Sequence, residues 1–229
     1  MANPDSQITI ADLWIEGSID PWLNLGFAAQ SDEFLCLPDL GLRFLSSPAS
    51  VETSPRITGW TLLDPTGDEK TCDEKSGDAE LSVDGLKTRF LSRATCVDPS
   101  TSPLNVLGVD HIVVMTGNLE RTCEAITAVT RSPLKRIRDA GGGVRQGFHR
   151  CGKVIIEVVE RPDIDAVTPA SIWGLVLNVG DLDQCIDWLG PDVISAPRPA
   201  VQAGRRIATI KREVGLGIAV ALMTPEPAR

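Results

Sequence analysis

An internal repeat in the C-terminal half restricts the fold more than any other feature of this sequence. Each copy begins with an apolar, β-branched run that ends at a Gly and a helix-capping residue, Gly117-Asn118 in the first copy and Gly180-Asp181 in the second. Apolar residues at helical spacing follow in both copies, and then comes a hairpin pattern. Each copy therefore predicts a strand, a helix and three further strands. A βαβββ unit of about 60 residues cannot bury its own sheet face, so we expect the two copies to pack as a pair.

The hairpin of the first copy predicts which side chains share a face. Residues 144–150 alternate as a strand, Cys151-Gly152 suits a two-residue turn, and residues 154–159 form the next strand. On this register Gln146 lies opposite Glu157, and His149 points to the other face, where we expect a surface histidine. The face with Glu157 carries the side chains predicted to line a ligand site: Gln146, Phe148, Ile155 and Glu157.

Two polar stretches indicate how the chain is divided. Residues 64–80 contain seven acidic residues and two lysines without apolar periodicity, and are predicted to form a mobile, solvated loop. Residues 97–105 have the composition of a linker between an N-terminal half, 1–96, and a C-terminal half, 106–229. The segment RITGWTLLD resembles another module-opening strand. We therefore interpret the N-terminal half as a shortened, degenerate copy of the same architecture, with an unrelated α+β extension as the alternative.

Composition excludes several classes of partner. The net charge is −9, which disfavours a nucleic-acid backbone as the partner. No apolar run reaches the roughly 20 residues of a membrane helix, and the first residues lack the pattern of a signal peptide. The six cysteines are dispersed without a C-x-x-C pair and are predicted to be reduced thiols in a cytoplasmic protein. Cys123 and Cys185 lie in apolar helix patterns and are expected to be packed.

The C-terminal repeat resembles the vicinal-oxygen-chelate superfamily of glyoxalase, bleomycin-resistance and dioxygenase-like proteins. The first module carries D-H-I-V-V-x-x-x-N-L-E-R and the second W-G-L-V-L-N-V-x-D-L-D. The resemblance covers roughly residues 106–225. It implies an α+β fold in which paired βαβββ modules form a cup-shaped sheet. It does not select a function, because this superfamily includes isomerases, dioxygenases, lyases and metal-free binding proteins.

The resemblance also implies where a divalent metal would bind. In the superfamily a His or Gln on the first strand and a Glu on the last strand of each module hold the metal. The first module has His111 and Glu157 at these positions, whereas the second has Gly174 and Ala221. Catalytic zinc typically has three protein ligands, so the projected site is incomplete. Three interpretations of His111 and Glu157 remain open: metal ligands, a polar pair that contacts an organic ligand, or a vestige without function.

Arg206 is a further candidate ligand-binding residue. Applying the first hairpin's register to the second places Arg206 opposite Ala221 on the cup side, together with Ala219, and Arg205 outward. A guanidinium there suits a carboxylate or phosphate of a ligand. The alternative is a salt bridge between Arg206 and Glu157 that closes the site.

Three functions follow as hypotheses. The first is a glyoxalase-like enzyme, a lyase, isomerase or dioxygenase, that acts on a small oxygenated or anionic metabolite with Glu157 as a base. The second is a metal-free small-molecule-binding protein of the bleomycin-resistance kind, and the third is a scaffold. The expected partner is a small-molecule ligand, and a homodimer is left open. Because the metal site is incomplete, purified protein is expected to carry far less than one equivalent of zinc, nickel or iron.

Overall fold

The computed structural model describes residues 7–45, 56–66, 81–93, 96, 99 and 101–226. Most of the predicted acidic loop, residues 67–80, lies outside the described residues, as do residues 97, 98 and 100 of the predicted linker. The described strands form a six-stranded sheet in the N-terminal half and an eight-stranded sheet in the C-terminal half. The proposed domain boundaries at 96 and 106 remain predictions.

The N-terminal sheet is built around two central antiparallel strands. Its elements are β1 (Thr9–Glu16), α1 (Asp20–Asn24), β2 (Phe34–Cys36), β3 (Gly41–Leu45), β4 (Arg56–Leu63), β5 (Leu81–Val83) and β6 (Leu86–Leu91). The strand order is β2-β3-β1-β4-β6-β5. β1 and β4 are antiparallel at the centre, β3 returns parallel to β1, and β6 returns parallel to β4.

The C-terminal sheet contains both copies of the repeat. The first copy consists of β7 (Val106–Thr116), α2 (Leu119–Thr130), β8 (Arg136–Gly141), β9 (Val144–Cys151) and β10 (Val154–Glu160). The second consists of β11 (Ser171–Val179), α3 (Leu182–Leu189), β12 (Arg198–Pro199), β13 (Arg206–Thr209) and β14 (Ala219–Met223). The strand order is β12-β13-β14-β11-β7-β10-β9-β8.

The two sheets share one connectivity. In each, two module-opening strands pair antiparallel at the centre, β1 with β4 and β7 with β11. The last strand of every module returns parallel to its opening strand. The N-terminal sheet has one outer strand fewer on each side among the described residues. The α+β fold of paired modules and its degenerate N-terminal copy are thus confirmed, with the predicted RITGWTLL strand as β4.

Side-chain caps start both long helices where the sequence predicts them. Asn118 Oδ1 accepts a hydrogen bond from the Arg121 backbone N–H at 3.0 Å, and Asp181 Oδ1 accepts one from Gln184 at 3.0 Å. Each cap satisfies an amide that the first helical turn would otherwise leave unpaired. The two modules therefore enter their helices by the same local mechanism.

The opening strand β7 separates the two faces of the C-terminal sheet. Ile112 and Val114 are fully buried on the face that carries the helices. Gly147 of β9 lies on this helix face, where an added Cβ would meet Cys123 of α2. Strand side chains alternate between faces, so His111, Val113 and Met115 lie on the opposite side. We call that side the cup face.

An apolar core joins the two halves of the chain. The cluster of buried residues includes Trp22 and Trp60 from the N-terminal half and Ile112 from the C-terminal half. Polar contacts also cross between the halves, such as Asp39 Oδ2 accepting from the Val109 N–H at 2.8 Å. The N-terminal sheet therefore supports the opening strand of the C-terminal sheet.

The cysteines require one correction. Cys36 and Cys96 form a disulfide with Cα atoms 5.5 Å apart, so the prediction of six reduced thiols is wrong for this pair. These residues are 60 positions apart in sequence, and only folding brings them together. Cys123, Cys151 and Cys185 are buried free thiols, and burial raises the pKa of Cys123 and Cys151 to about 12. The packed environment predicted for Cys123 and Cys185 is confirmed. Among the described helices, none has the length and apolar character to span a membrane.

Candidate functional site

The cup face of the first module brings His111 and Glu157 together. His111 Nε2 lies 3.3 Å from Glu157 Oε2, and their side chains are 12% and 15% exposed. Gln146 Nε2 donates to Glu157 Oε1 at 2.6 Å. Phe148 of β9 lies directly opposite Glu157 of β10. Ile155 of β10 lies opposite His111 of β7. The structure thus brings together four of the predicted site residues, Gln146, Phe148, Ile155 and Glu157, with His111. Their roles remain predictions.

Asp110 and Arg205 extend this group, and sequence reasoning missed both. Asp110 Oδ2 lies 2.8 Å from His111 Nδ1, and Asp110 Oδ1 lies 2.8 Å from Arg205 Nη1. Arg205 also donates to Asn178 Oδ1 at 2.5 Å and to the Thr224 carbonyl at 2.7 Å. Polar contacts therefore run without a gap from Asn178 in the second module to Gln146 in the first. The one sequence signal was the Asp that directly precedes His111.

Asp110 is held as a carboxylate within this chain of contacts. Burial pushes its pKa upward, but hydrogen bonds and charge attraction from His111 and Arg205 outweigh burial and lower the pKa to about 2. Asp110 is therefore ionised near neutral pH and accepts the Nδ1 proton of His111. The imidazole then presents Nε2 to Glu157.

Arg206 does not reach the cup face, so its predicted position was wrong. Its guanidinium contacts Asp183 of α3 at 3.0 and 2.6 Å, on the exposed helix side of the sheet. Thr209, not Arg206, lies opposite Ala221. The β13–β14 connection contains a 3₁₀ turn at Arg212–Val214. The observed β13–β14 register therefore differs from the predicted one by an odd number of residues. An odd shift exchanges the two faces of a strand, which places Arg205 inside and Arg206 outside.

His149 points away from Glu157 as predicted, but it is not a surface residue. It is 1% exposed on the helix face, and its Nδ1 lies 3.0 Å from the Ser132 carbonyl. The segment that follows α2 covers it, which alternation along β9 alone does not reveal. Burial lowers the pKa of His149, and its Nε2 is buried without a hydrogen-bond partner among the described residues. His149 is therefore a core residue.

The strand registers identify the second-module equivalents of His111 and Glu157. In the first module His111 pairs with Ile155, and Val113 pairs with Glu157. In the second module Gly174 pairs with Ala219, and Val176 pairs with Ala221. Gly174 is therefore equivalent to His111, and Ala221 is equivalent to Glu157. Gly174 and Ala221 thus occupy the positions inferred from the sequence. A Cβ on Gly174 would overlap the backbone oxygen of Ala219. The backbone at this point has no room for a metal-binding side chain.

The donor set does not fit a tightly held divalent metal. Within the ranges the structure describes, no group of three His, Cys, Asp or Glu side chains is placed to hold an ion. His111 and Glu157 provide two donors, whereas catalytic metals typically have three protein ligands. The Gln146 amide oxygen is buried without a hydrogen-bond partner among the described residues, but a neutral amide oxygen is a weak metal ligand. His111 and Glu157 therefore fall one protein ligand short of a typical catalytic metal site.

Two pockets lie away from these residues. One of about 120 Å³ is lined by residues that include Asp39 and Leu63, and one of about 330 Å³ lies against α2, beside Leu134 and Ile137. Neither includes His111 or Glu157. The His111 and Glu157 side chains are 12% and 15% exposed, so the candidate site is partly open to solvent.

No protein-family model matches the sequence, and no curated protein matches it. Methylmalonyl-CoA epimerase from Mycobacterium tuberculosis aligns over 56% of this chain and 93% of its own, with 20% identity and a TM-score of 0.45. The Streptomyces coelicolor epimerase in complex with 2-nitronate-propionyl-CoA aligns over 54% of this chain and 98% of its own, with 18% identity and a TM-score of 0.44.

A triple mutant of 4-hydroxymandelate synthase from Streptomyces coelicolor aligns with both halves of the chain. The alignment covers 96% of this chain and 93% of the synthase, with 12% identity and a TM-score of 0.65. The epimerases and the synthase are members of the vicinal-oxygen-chelate superfamily. At this identity the likeness concerns the fold. The chain therefore has the fold of the vicinal-oxygen-chelate superfamily, with paired modules in both of its sheets.

Proposed function

We propose that the cup face of the C-terminal sheet binds a small oxygenated metabolite at His111 and Glu157, and that this pair exchanges a proton with it. The observation that carries the proposal is the chain of contacts Asp110–His111–Glu157, with 2.8 and 3.3 Å between successive groups. A positioned carboxylate and imidazole are the usual groups of general acid–base catalysis.

Each member of the chain has a separate role in the proposal. Asp110 fixes the ring orientation of His111 by accepting from Nδ1, as a carboxylate does behind many catalytic histidines. Glu157 accepts a proton from a carbon next to a carbonyl of the ligand, and the same pair later returns a proton to that carbon. His111 and Glu157 touch the ligand, whereas Asp110 acts through His111 as a positioning residue.

The second module offers an apolar surface for part of the ligand. Its cup-face residues Val176, Ala221 and Met223 form a small apolar cluster with Ala200 and Ile207 packed against it. Ala221 is paired with Val176, which in turn lies opposite His111. An apolar group of the ligand would rest on these residues while its oxygenated end lies near Glu157.

A binding protein without catalysis is the second candidate function. It is favoured by Gly174 and Ala221, which leave the second module without a polar group at the two positions equivalent to His111 and Glu157. In this case Glu157 would only accept a hydrogen bond from the ligand.

The two candidate functions predict different rates for the exchange of carbon-bound hydrogen with solvent. We would incubate purified, dialysed protein in D₂O with pyruvate, 2-oxobutyrate and 2-oxo-4-methylpentanoate, and follow loss of the proton signal next to the carbonyl by NMR. The proposal expects faster exchange than in buffer, most for the longest apolar chain, and loss of exchange in Glu157→Gln. Glu213→Gln, outside the cup face, is the control and should behave as wild type. Binding without exchange would support the second candidate instead.

A further inference from the structure

We propose that Arg136 and Arg138 of β8 form an anion-binding subsite on the cup face, so that the ligand carries a carboxylate or phosphate group. The proposal rests on the ligand site of the proposed function but not on its proton exchange. The sequence-based candidate for this role, Arg206, lies on the other face of the sheet. The two arginines of β8 would bind the anionic ligand group that the sequence analysis assigned to Arg206.

Strand register places both arginines beside the Glu157 site. Arg136 lies opposite Phe148, and Arg138 lies opposite Gln146. Phe148 lies in turn opposite Glu157, and Gln146 donates to the same carboxylate. Directly opposite residues share a face, so both arginines project from the cup face. Ile137 between them lines the pocket against α2 on the helix face, as alternation requires.

The guanidinium of Arg136 is oriented rather than free in solvent. Its Cζ lies 4.9 Å from the centroid of the Phe148 ring. A guanidinium held over an aromatic ring by cation–π attraction still has N–H groups that can donate to an oxyanion. In the part of the chain that the structure describes, no carboxylate pairs with Arg136 or Arg138. Two cations without anionic partners next to a half-buried site are suited to a compact anion.

Local charge contrasts with that of the whole chain. The net charge is −9, yet Arg136, Arg138 and Arg150 lie on the part of the cup face that carries Glu157. A carboxylate bound to the arginines would direct the adjoining carbon of a ligand towards Glu157. The competing explanation is that charges on the edge strand β8 prevent sheet-to-sheet association. That explanation requires no preference among ligands.

The experiment compares three probes that carry the same isopentyl group, by isothermal titration calorimetry at low salt. They are 4-methylpentanoate, isopentyl phosphate and the neutral 4-methylpentanamide. We expect at least one anion to bind ten-fold or more tightly than the amide, and the better of the two identifies the anionic group. The double variant Arg136→Gln/Arg138→Gln should lose this preference. Arg206→Gln, the matched control on the helix face, should retain it.

The outcomes separate this proposal from the proposed function. Equal affinity for the acid, the phosphate and the amide, no binding of either anion at 10 mM, or an unchanged preference in the folded double variant would each overturn the subsite. Circular dichroism establishes that the variants are folded. Glu157→Gln should keep the anion preference while it loses proton exchange. Preference without exchange in wild type leaves the subsite standing and refutes proton exchange, whereas exchange without preference does the reverse.

Discussion

Arg205 lies 2.8 Å from Asp110 inside the C-terminal cup, with side chains that are 3% and 7% exposed, whereas its neighbour Arg206 pairs with Asp183 at the surface. Adjacent arginines thus take part in one buried and one exposed ion pair. The buried pair joins the two modules, because Asp110 belongs to β7 and Arg205 directly precedes β13. Removing one partner of the buried pair leaves an unpaired charge in the interior, whereas removing one partner of the exposed pair leaves a solvated charge.

Arg205→Met should destabilise the fold by about 3–5 kcal/mol, because it leaves the Asp110 carboxylate buried without its cation. The free energy of unfolding, measured in urea at pH 7, checks this. Arg206→Met is the matched control and should have little effect, since solvent screens its exposed pair with Asp183. Similar losses in the two variants would show that the buried pair is not specially important.

His149 should make stability fall as the pH decreases. Burial lowers its folded-state pKa, so the unfolded chain, with a pKa of about 6.5, takes up a proton first. Above the unfolded-state pKa, His149 is neutral in both states and does not change the free energy of unfolding. As the pH falls below it, His149 lowers the free energy of unfolding by at most about 1.4 kcal/mol per pH unit for one proton. Unfolding free energies between pH 7.5 and 5.5 should fall less steeply in His149→Gln. Equal slopes in both proteins would contradict the prediction.

Gly174→Ala should destabilise the fold by about 1–3 kcal/mol, because the new Cβ would overlap the Ala219 backbone oxygen and force β11 and β14 apart. Thermal unfolding monitored by circular dichroism measures the change. Ser171→Ala, at an exposed position on the same strand, serves as the control. A Gly174→Ala variant as stable as wild type would mean that the two strands separate easily, and that the second module could hold a ligand side chain.

Purified protein should contain far less than one equivalent of zinc, nickel or iron after dialysis, because His111 and Glu157 offer two donors where three are usual. Metal analysis by mass spectrometry tests this directly. His111→Gln should leave the metal content unchanged within error. Stoichiometric metal that is retained in wild type and lost in this variant would refute the prediction.

Much of the fold could be predicted from local patterns in the sequence. The caps at Asn118 and Asp181, the β-branched opening strands and the 60-residue repeat each depend on interactions within a few residues or on simple periodicity. The equivalence of His111 with Gly174 also follows from the repeat alone. Hydrophobic alternation placed Glu157 and Gln146 on one face, although the true register differs from the predicted one by two residues. An even shift preserves the faces of a strand, so the predicted grouping survived.

Only the tertiary structure decided which of Arg205 and Arg206 lies inside the cup, and which residues surround His149. The β13–β14 connection is irregular, so its register could not be transferred from the first hairpin, and an odd shift exchanged Arg205 with Arg206. His149 is buried by the chain after α2, a contact between segments that are separate in sequence. Cys36 and Cys96 likewise meet only after folding. Periodicity within a strand determines which residues share a face, whereas the contacts between strands and helices determine what each face meets.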